Sequence, residues 1–516
     1  MSSVAVASSV PSVVASATGP GWIAQLAWPL ADLRRGRRAL LVVFAIYAAV
    51  MLLAVPQGIG SSWRECDTQA IARSFLVEGF DPLHPKVDWR GDTGGAVECE
   101  FPLFQLMVAT VMAATGEAEW PGRVIALLSM LFAAFSLHRL LEARVGPAGA
   151  LAGAMVFLTG GHAMVLGGRV QPDATSTALA LAGLTTYVRF LATGSGSTLL
   201  LATLATTFGA LAKPTALQIG LVQFLWTALL APHRLRETRV WAAFAATVGV
   251  VVLWLWHSQS LYLETGLTFG VVSGGDTKFP DLEHLLMPEL HLQMLRTTGR
   301  YGFGVLGGVA LLAMLVRRRF DLVDASLLLM VALGLFGSFR YSHSSGLGRH
   351  YHVFAAVAGA WCVARAMPAR PGRLVWALLL AAVLGQGALH VLNERQWRQD
   401  VLASSQLPLA AAVEAASKPG ELVVVHGMEA SFDRDWQRPV NFEEPILLYN
   451  ARRHGWVLAR DAVSDGELAE LRQRGARWFV DQVPAETPPA AQRWLDEHGE
   501  LLETLPGGRV YRLTPP

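Results

Sequence analysis

Long apolar stretches recur along this chain, separated by short polar connectors. Charge vanishes from runs such as 39–51, 241–256 and 325–339 and gathers between them. A bilayer core is about 30 Å thick, so a spanning helix takes about 20 mostly apolar residues. The pattern predicts about eleven spans on that criterion, at approximately 39–56, 119–140, 147–167, 174–193, 197–213, 215–231, 239–257, 300–316, 322–340, 350–366 and 373–391. The apolar segment 101–115 is short and reads as a helix lying at the membrane surface. From Asn393 onward the pattern changes: residues 421–426 read as a buried strand, 465–474 has helical spacing, and 476–480 and 509–513 read as further strands. The predicted fold class is an α-helical polytopic membrane protein with a C-terminal soluble α/β domain. Its domains are 1–38 (a tail and interfacial helix), 39–391 (membrane domain, with a large outer loop at 57–118) and 392–516 (soluble domain).

Composition agrees. The 516 residues are 53% hydrophobic and only 16% charged, against about 25% charged in soluble domains. The net charge of +2 gives no footing for a nucleic-acid partner. Residues 1–20 lack the basic region of a secretory signal and read as a disordered tail. Residues 21–33, with Trp22 and Trp28, read as a short amphipathic helix at the interface.

Basic clusters at 34–38, 139–144, 234–239, 317–319 and 365–373 set the topology, because cytoplasmic loops carry excess Lys and Arg. With all five inside, the loop 57–118, a loop near 257–299 and everything after about 392 share the outer face. The first loop is acidic, with Glu65, Asp67, Glu78, Asp81, Asp88, Asp92, Glu98 and Glu100. In a bacterium this face is periplasmic and the membrane is the inner one; the Ala- and Arg-rich composition fits a bacterium.

Four short motifs on that face could carry chemistry. Asp67 lies in Trp63-Arg64-Glu65-Cys66-Asp67 at the expected start of a helix, where it reads equally well as a cap. Glu100 opens the apolar run at 101, either at a site or as a solvated turn residue. Asp173, in Arg169-Val170-Gln171-Pro172-Asp173, stands before a span and also reads as a cap. Lys213 interrupts two apolar runs; at membrane depth a Lys is expensive and marks function unless it snorkels to the headgroups. Together these place carboxylates and cations on one membrane face. Transfer from a lipid phosphate needs both, a carboxylate to take a proton and cations to stabilise the departing phosphate.

Over about residues 40–365 the order of these landmarks resembles the GT-C glycosyltransferases, most of all the branch of lipid A aminoarabinose transferases and protein O-mannosyltransferases. The motif Asp67-Thr68-Gln69-Ala70-Ile71-Ala72-Arg73 resembles that family's acidic motif after the first span. Glu100-Phe101-Pro102, Gly116, Arg123, Asp173, Lys213-Pro214 and Gly348-Arg349-His350-Tyr351-His352 follow in the family's order. The segments Gly455-Trp456-Val457 and Arg474-Gly475-Ala476-Arg477-Trp478 resemble its soluble outer domain. Phe101 stands where the aminoarabinose branch usually has Lys, and Thr68 where Glu is frequent. The resemblance implies a transferase that moves sugar from a polyprenyl-phosphate carrier to a hydroxyl of a lipid, glycan or protein, with inversion. Asp67 would be the general base, Asp173 a second acid and Glu100 its support, while Lys213, Arg349 and Arg169 would hold the lipid phosphate.

Cys66 and Cys99 each directly precede one of these acids in an outer loop, and a disulfide between them is expected; free thiols or zinc ligands are the alternatives. Cys362 lies in a span and reads as a small core residue. A divalent ion on Asp67, Glu100 and outer-face His84, His162 or His343 is left open as a cofactor, without a recognisable metal motif. No phosphate-binding loop or dinucleotide fingerprint is present. A lipid or glycan transporter or flippase would place ionisable residues at mid-membrane, whereas here acids are nearly absent from the spans; a non-catalytic scaffold is the remaining alternative.

Overall fold

The computed structural model describes residues 37–273, 279–339, 349–433, 438–439 and 441–516. The expected interfacial helix at 21–33, Arg34–Arg35 and His343 lie outside them. The first described helix, α1 (Arg37–Leu53), leads to a polar loop bearing α2 (Trp63–Glu78) and then α3 (Leu103–Thr115), α4 (Trp120–Val145), α5 (Pro147–Thr159) and α6 (Gly161–Leu166). Next come α7 (Asp173–Thr193), α8 (Gly196–Ala212), a 3₁₀ turn (Pro214–Leu217), α9 (Gln218–Leu230) and α10 (Thr238–Thr265). The chain continues through α11 (Leu282–Leu286), α12 (Pro288–Thr297), a π-helical turn (Thr298–Phe303), α13 (Gly304–Val316), α14 (Leu322–Gly337), α15 (Val353–Ala366) and α16 (Arg373–Leu402).

Every apolar run expected to span carries a helix, and the run at 101–115 carries α3. Trp120–Val145, Thr238–Thr265, Pro288–Val316 and Arg373–Ala416 are long and apolar enough to cross a bilayer by length and composition, and seven shorter apolar helices accompany them. Two run further than their apolar cores suggested: α10 continues to Thr265, and α16 continues past 391 to Leu402. Conversely, the expected span 147–167 breaks at Gly160, between α5 and α6.

Local chemistry explains the connections. The hairpin between α4 and α5 turns on Gly146, at φ 83°, a left-handed value that side chains resist, with Pro147 pre-set for the next helix's first turn. Helices α7 and α8 pack through small residues: a Cβ on Gly183 would sit 2.4 Å from Thr206 Oγ1, so only glycine permits that approach. Close packing of these two helices holds their outer ends, Asp173 and Ala212, beside each other.

After α16 come α17 (Gln406–Ala416), β1 (Leu422–His426), the short pair β2 (Phe432–Asp433) and β3 (Arg438–Pro439), α18 (Ile446–Ala451) and β4 (Gly455–Leu458). Then follow α19 (Asp465–Gln473), β5 (Ala476–Asp481), α20 (Pro489–His498), β6 (Gly499–Leu505) and β7 (Gly508–Leu513). The main sheet has the order β4-β1-β5-β7-β6, with β4, β1 and β5 parallel and β7 and β6 antiparallel. Its parallel strands are short apolar runs covered by helices, as buried strands must be. Ser464 caps α19 by accepting from the Glu467 amide.

This domain sits on the outer loop. The Gly91 amide donates to the Gly455 carbonyl at 2.7 Å, Gly455 donates to Asp88 at 3.1 Å, and Ser61 donates to Val401 at 2.9 Å. Arg474 pairs with Asp92 at 2.6 Å. Helix α18 packs on α2: Arg73 donates to the Tyr449 carbonyl at 3.2 Å and lies 5.0 Å above its ring.

Candidate active site

Helix α2 starts at Trp63, so Asp67 stands in its second turn and the capping reading fails. Its side chain is 2% exposed, and Oδ1 accepts the Trp89 indole N–H at 2.9 Å. Burial pushes its carboxyl up to about 7, against the opposing Trp89 hydrogen bond and the positive charge of Arg64; the charges of Asp88 and Glu443 push it further up. One turn earlier on the same face, Arg64 donates to Glu100 Oε2 at 2.9 Å and lies 4.9 Å from the Phe269 ring centre.

Glu100 is not a solvated turn residue. The Phe101 amide donates to the Leu211 carbonyl at 3.0 Å, tying the start of α3 to the end of α8. The second Glu100 oxygen then meets Lys213 Nζ at 3.4 Å, and the same ammonium lies 3.4 Å from Asp173 Oδ1. Asp173 makes no helix cap, and Lys213, with 12% of its side chain exposed, does not reach away to solvent. Three of the expected residues, Glu100, Asp173 and Lys213, thus form one cluster. Arg64 joins it to Asp67, within the electrostatic field of all three acids.

Beside it α3, α4, α7 and α8 enclose an apolar groove of about 460 Å³, lined by Leu103, Ile125, Phe132, Ala178 and Phe208 among others. The segments that deliver Glu100, Asp173 and Lys213 are continuous with α3, α7 and α8, whose outer ends form its walls. Its two polar residues, Ser129 and Thr175, hydrogen-bond to each other at 2.9 Å, so the lining offers little unsatisfied polarity. Leu128, Phe132 and Phe208 are exposed at its edge.

Other expectations are corrected. Arg169 is committed elsewhere, held by Glu394 through two bonds of 2.8 and 2.7 Å and lying 3.3 Å over the Trp397 ring. Its guanidinium is therefore occupied by a carboxylate instead of facing a phosphate. Arg349 opens a 3₁₀ turn, Arg349–His352, and its side chain lies outside the described residues. Cys66 and Cys99 are free, buried thiols. Cys66 Sγ lies 3.4 Å from the Gly60 carbonyl, while Cys99 is anchored to α10 by Ser258 and Trp254 at 2.9 and 3.0 Å. Burial pushes both thiols well up. Cys362 is buried in α15, as a core residue.

A divalent ion does not fit this donor set. Glu100 and Asp173 already neutralise Lys213 and Arg64, and among the described residues no group of three or more His, Cys, Asp or Glu converges. His84 is a surface residue paired with Asp81 at 2.7 Å, and His162 is buried against the His352 ring.

Sequence reasoning missed several partners. Arg64 could have been found, since spacing of three places it beside Asp67 on a helix. Trp89 and Glu443 come from distant loops and carry no local signal. Nor does Arg398, fully buried in α16, which holds Glu65 at 2.7 Å and the Gly58 carbonyl at 2.8 Å. Burial alone would raise the Glu65 carboxyl; Arg398, Arg169 and the Val170 amide hold it below its ordinary value.

Residues 100–257 match the family model described as dolichyl-phosphate-mannose-protein mannosyltransferase. That stretch includes Glu100, Asp173, Lys213 and the whole groove lining; Asp67 lies ahead of it. No curated protein sequence matches the chain. Solved structures do. ArnT from Cupriavidus metallidurans in the apo state matches with a TM-score of 0.60 at 12% identity, over 92% of this chain and 97% of ArnT. Its form bound to undecaprenyl phosphate gives 0.55 at 13% identity, with coverage again 92% and 97%. The archaeal oligosaccharyltransferase AglB from Archaeoglobus fulgidus, in complex with an inhibitory peptide and a dolichol-phosphate, gives 0.57 at 11% identity over 93% of this chain and 74% of AglB. These structures, the membrane helices and the small C-terminal sheet domain agree on one architecture: the chain is an integral membrane protein with the GT-C fold.

Proposed function

We propose that the protein is a membrane glycosyltransferase that takes a sugar from a polyprenyl-phosphate carrier and joins it to a hydroxyl acceptor, a lipid, glycan or protein. The observation that carries this reading is the ionic cluster of Glu100, Lys213 and Asp173, joined by Arg64, at the ends of α3, α7 and α8, whose adjoining turns line an apolar groove. A carrier lipid has that same division, an anionic head on a long apolar chain. The family-model match over the same residues supports it.

In this reading the prenyl chain lies in the groove and its phosphate meets Lys213 and Arg64. Glu100 accepts from each cation, which leaves further N–H donors on both for phosphate oxygens. The acceptor oxygen attacks the anomeric carbon as the bond from that carbon to the phosphate oxygen breaks. The electron pair of that bond leaves with the polyprenyl phosphate, whose growing charge the two cations stabilise. The acceptor's proton passes to Asp67, whose second oxygen, Oδ2, accepts no hydrogen bond among the described residues. A single displacement inverts the anomeric centre. Asp173 positions Lys213 and the acceptor. The site and the C-terminal domain occupy the outer face, periplasmic in a bacterial inner membrane, in line with the charge pattern of the loops.

The test is sugar release from a panel of radiolabelled polyprenyl-phosphate sugars by purified protein in detergent, with Asp67→Asn as comparison. Release that the substitution abolishes, in a folded variant that still binds donor, supports the assignment. Unchanged release in Asp67→Asn moves the base elsewhere, and movement of intact carrier lipid across a vesicle membrane would replace the transferase by a flippase.

A further inference from the structure

Trp89 stands between two residues that one side chain of the C-terminal domain engages. His454 Nε2 lies 2.6 Å from the Arg90 guanidinium, and its Nδ1 lies 3.3 Å from Asp88 Oδ1. An arginine can only donate, so Nε2 accepts and the neutral ring carries its proton on Nδ1, towards Asp88. The backbone is held at the same point. Strand β4 is an edge of the main sheet, and its first residue, Gly455, donates to the Asp88 carbonyl and accepts from the Gly91 amide. Residues 88–91 thus lie along that edge and take up hydrogen-bonding groups it would otherwise leave free. Both glycines suit the close approach: a Cβ on Gly455 would sit 1.7 Å from the Val423 carbonyl oxygen, and one on Gly91, at φ 58°, 2.2 Å from Trp456 Nε1. Helix α2 holds the same flanking residues from its own side, through Arg73 to Asp88 at 2.6 Å and Glu78 to Arg90 at 2.7 Å. Between these anchors the Trp89 side chain, buried, donates to Asp67 at 2.9 Å.

We propose that the C-terminal domain takes part in the reaction through this segment, with His454 as a positioning residue that keeps Trp89 on Asp67. This rests on the reading of Asp67 as the base. The domain supplies no member of the ionic cluster, so its effect on the chemistry passes through the segment it grips. An indole donor favours the charged carboxylate only while its N–H stays close and aligned. Without the His454 ring, Asp88 and Arg90 keep only their side-chain partners on α2, and the indole moves off Asp67. A carboxylate without that donor holds its proton to higher pH. The charges of Arg64, Asp88 and Glu443 also act on Asp67, and His454→Ala alters none of them. The seating of the soluble domain thus sets the pH at which the base is ready.

The experiment reads the bond between Trp89 and Asp67 without substrate. In the full chain, purified in detergent with isotope-labelled tryptophan, the Trp89 indole N–H resonance is identified by its loss in Trp89→Phe. Asp67→Ala marks the position of the unbonded indole. His454→Ala is expected to move the resonance towards that position, and His454→Gln, whose amide oxygen can accept from Arg90, should leave it nearer the wild type. Gly91→Ala, which drives the segment off β4, serves as a second test should His454→Ala fold poorly. A resonance that stays at its wild-type position in these variants overturns the proposal. Sugar release measured alongside carries the result to the chemistry. His454→Ala should move the pH limb of release up by about half a unit or more and should add nothing in a Trp89→Phe background; an equal shift in that background overturns the proposal too. Loss of release in Asp67→Asn with an unmoved resonance in His454→Ala keeps the base and rejects the role of the C-terminal domain. Retained release in Asp67→Asn rejects the base, and with it the catalytic meaning of the contact.

Discussion

The Trp89 indole donates to Asp67 Oδ1 at 2.9 Å, joining a residue of an irregular loop to a buried acid on α2. The bond favours the charged carboxylate and so opposes the burial that pushes Asp67 up to about 7. For a base, activity is absent while the group holds its proton and appears as pH rises through the shifted value. Sugar release should therefore rise through about pH 7 along a one-proton limb. Trp89→Phe removes the donor, raises the carboxyl further and should move that limb to higher pH. Pre-steady-state release measured from about pH 5 to 9 tests both statements.

Lys213 meets two carboxylates at 3.4 Å each, and in the proposed reading its remaining donors take the lipid phosphate. A charge-assisted hydrogen bond contributes about 1.5–3 kcal/mol. Lys213→Met should weaken polyprenyl-phosphate binding by about 10–100-fold, without the pH shift expected of Trp89→Phe. Equilibrium binding of radiolabelled lipid phosphate in detergent measures it.

The groove makes a steric prediction. Ala178→Trp places a large ring among Leu103, Leu179 and Phe208. It should block donors with a long prenyl chain and spare a donor whose chain is truncated to one or two isoprenes. Equal loss of both donors would place the chain elsewhere.

Glu65 and Arg398 form a buried pair at 2.7 Å with side chains 1% and 0% exposed. Removing one partner of such a pair costs about 3–5 kcal/mol, because the other charge is left uncompensated. Arg398→Met should lower the thermal midpoint sharply, and Glu65→Gln/Arg398→Met should recover part of the loss. Because the Glu65 carboxyl is held below its ordinary value, its stabilisation is present above the usual carboxylate range and is lost as pH falls through the lowered value. Denaturation followed at neutral and acidic pH reads the effect.

The cysteines give a direct chemical check. With Cys66, Cys99 and Cys362 free, alkylation after unfolding without reductant should label three thiols. Cys66→Ala/Cys99→Ala should leave the electrophoretic mobility under non-reducing conditions unchanged.

The sequence by itself determined the class of the molecule and the places of its helices. The apolar run length a helix needs is set by bilayer thickness, so that signal is local. It also supplied Asp67, Glu100, Asp173 and Lys213, because acids and a lysine beside apolar runs are costly and stand out. Tertiary structure decided which of these meet. The Phe101–Leu211 hydrogen bond and the small-residue packing of α7 on α8 bring Glu100, Lys213 and Asp173 together, and no spacing in the chain encodes that. It decided against Arg169 and against the disulfide for the same reason: Glu394 lies 225 residues from Arg169, and each cysteine faces a different neighbour. The long-range pairs Trp89 with Asp67, Arg398 with Glu65, and Arg73 with Tyr449 depend on how the loop 57–118, the last membrane helix and the C-terminal domain pack. Only the folded chain fixes that packing.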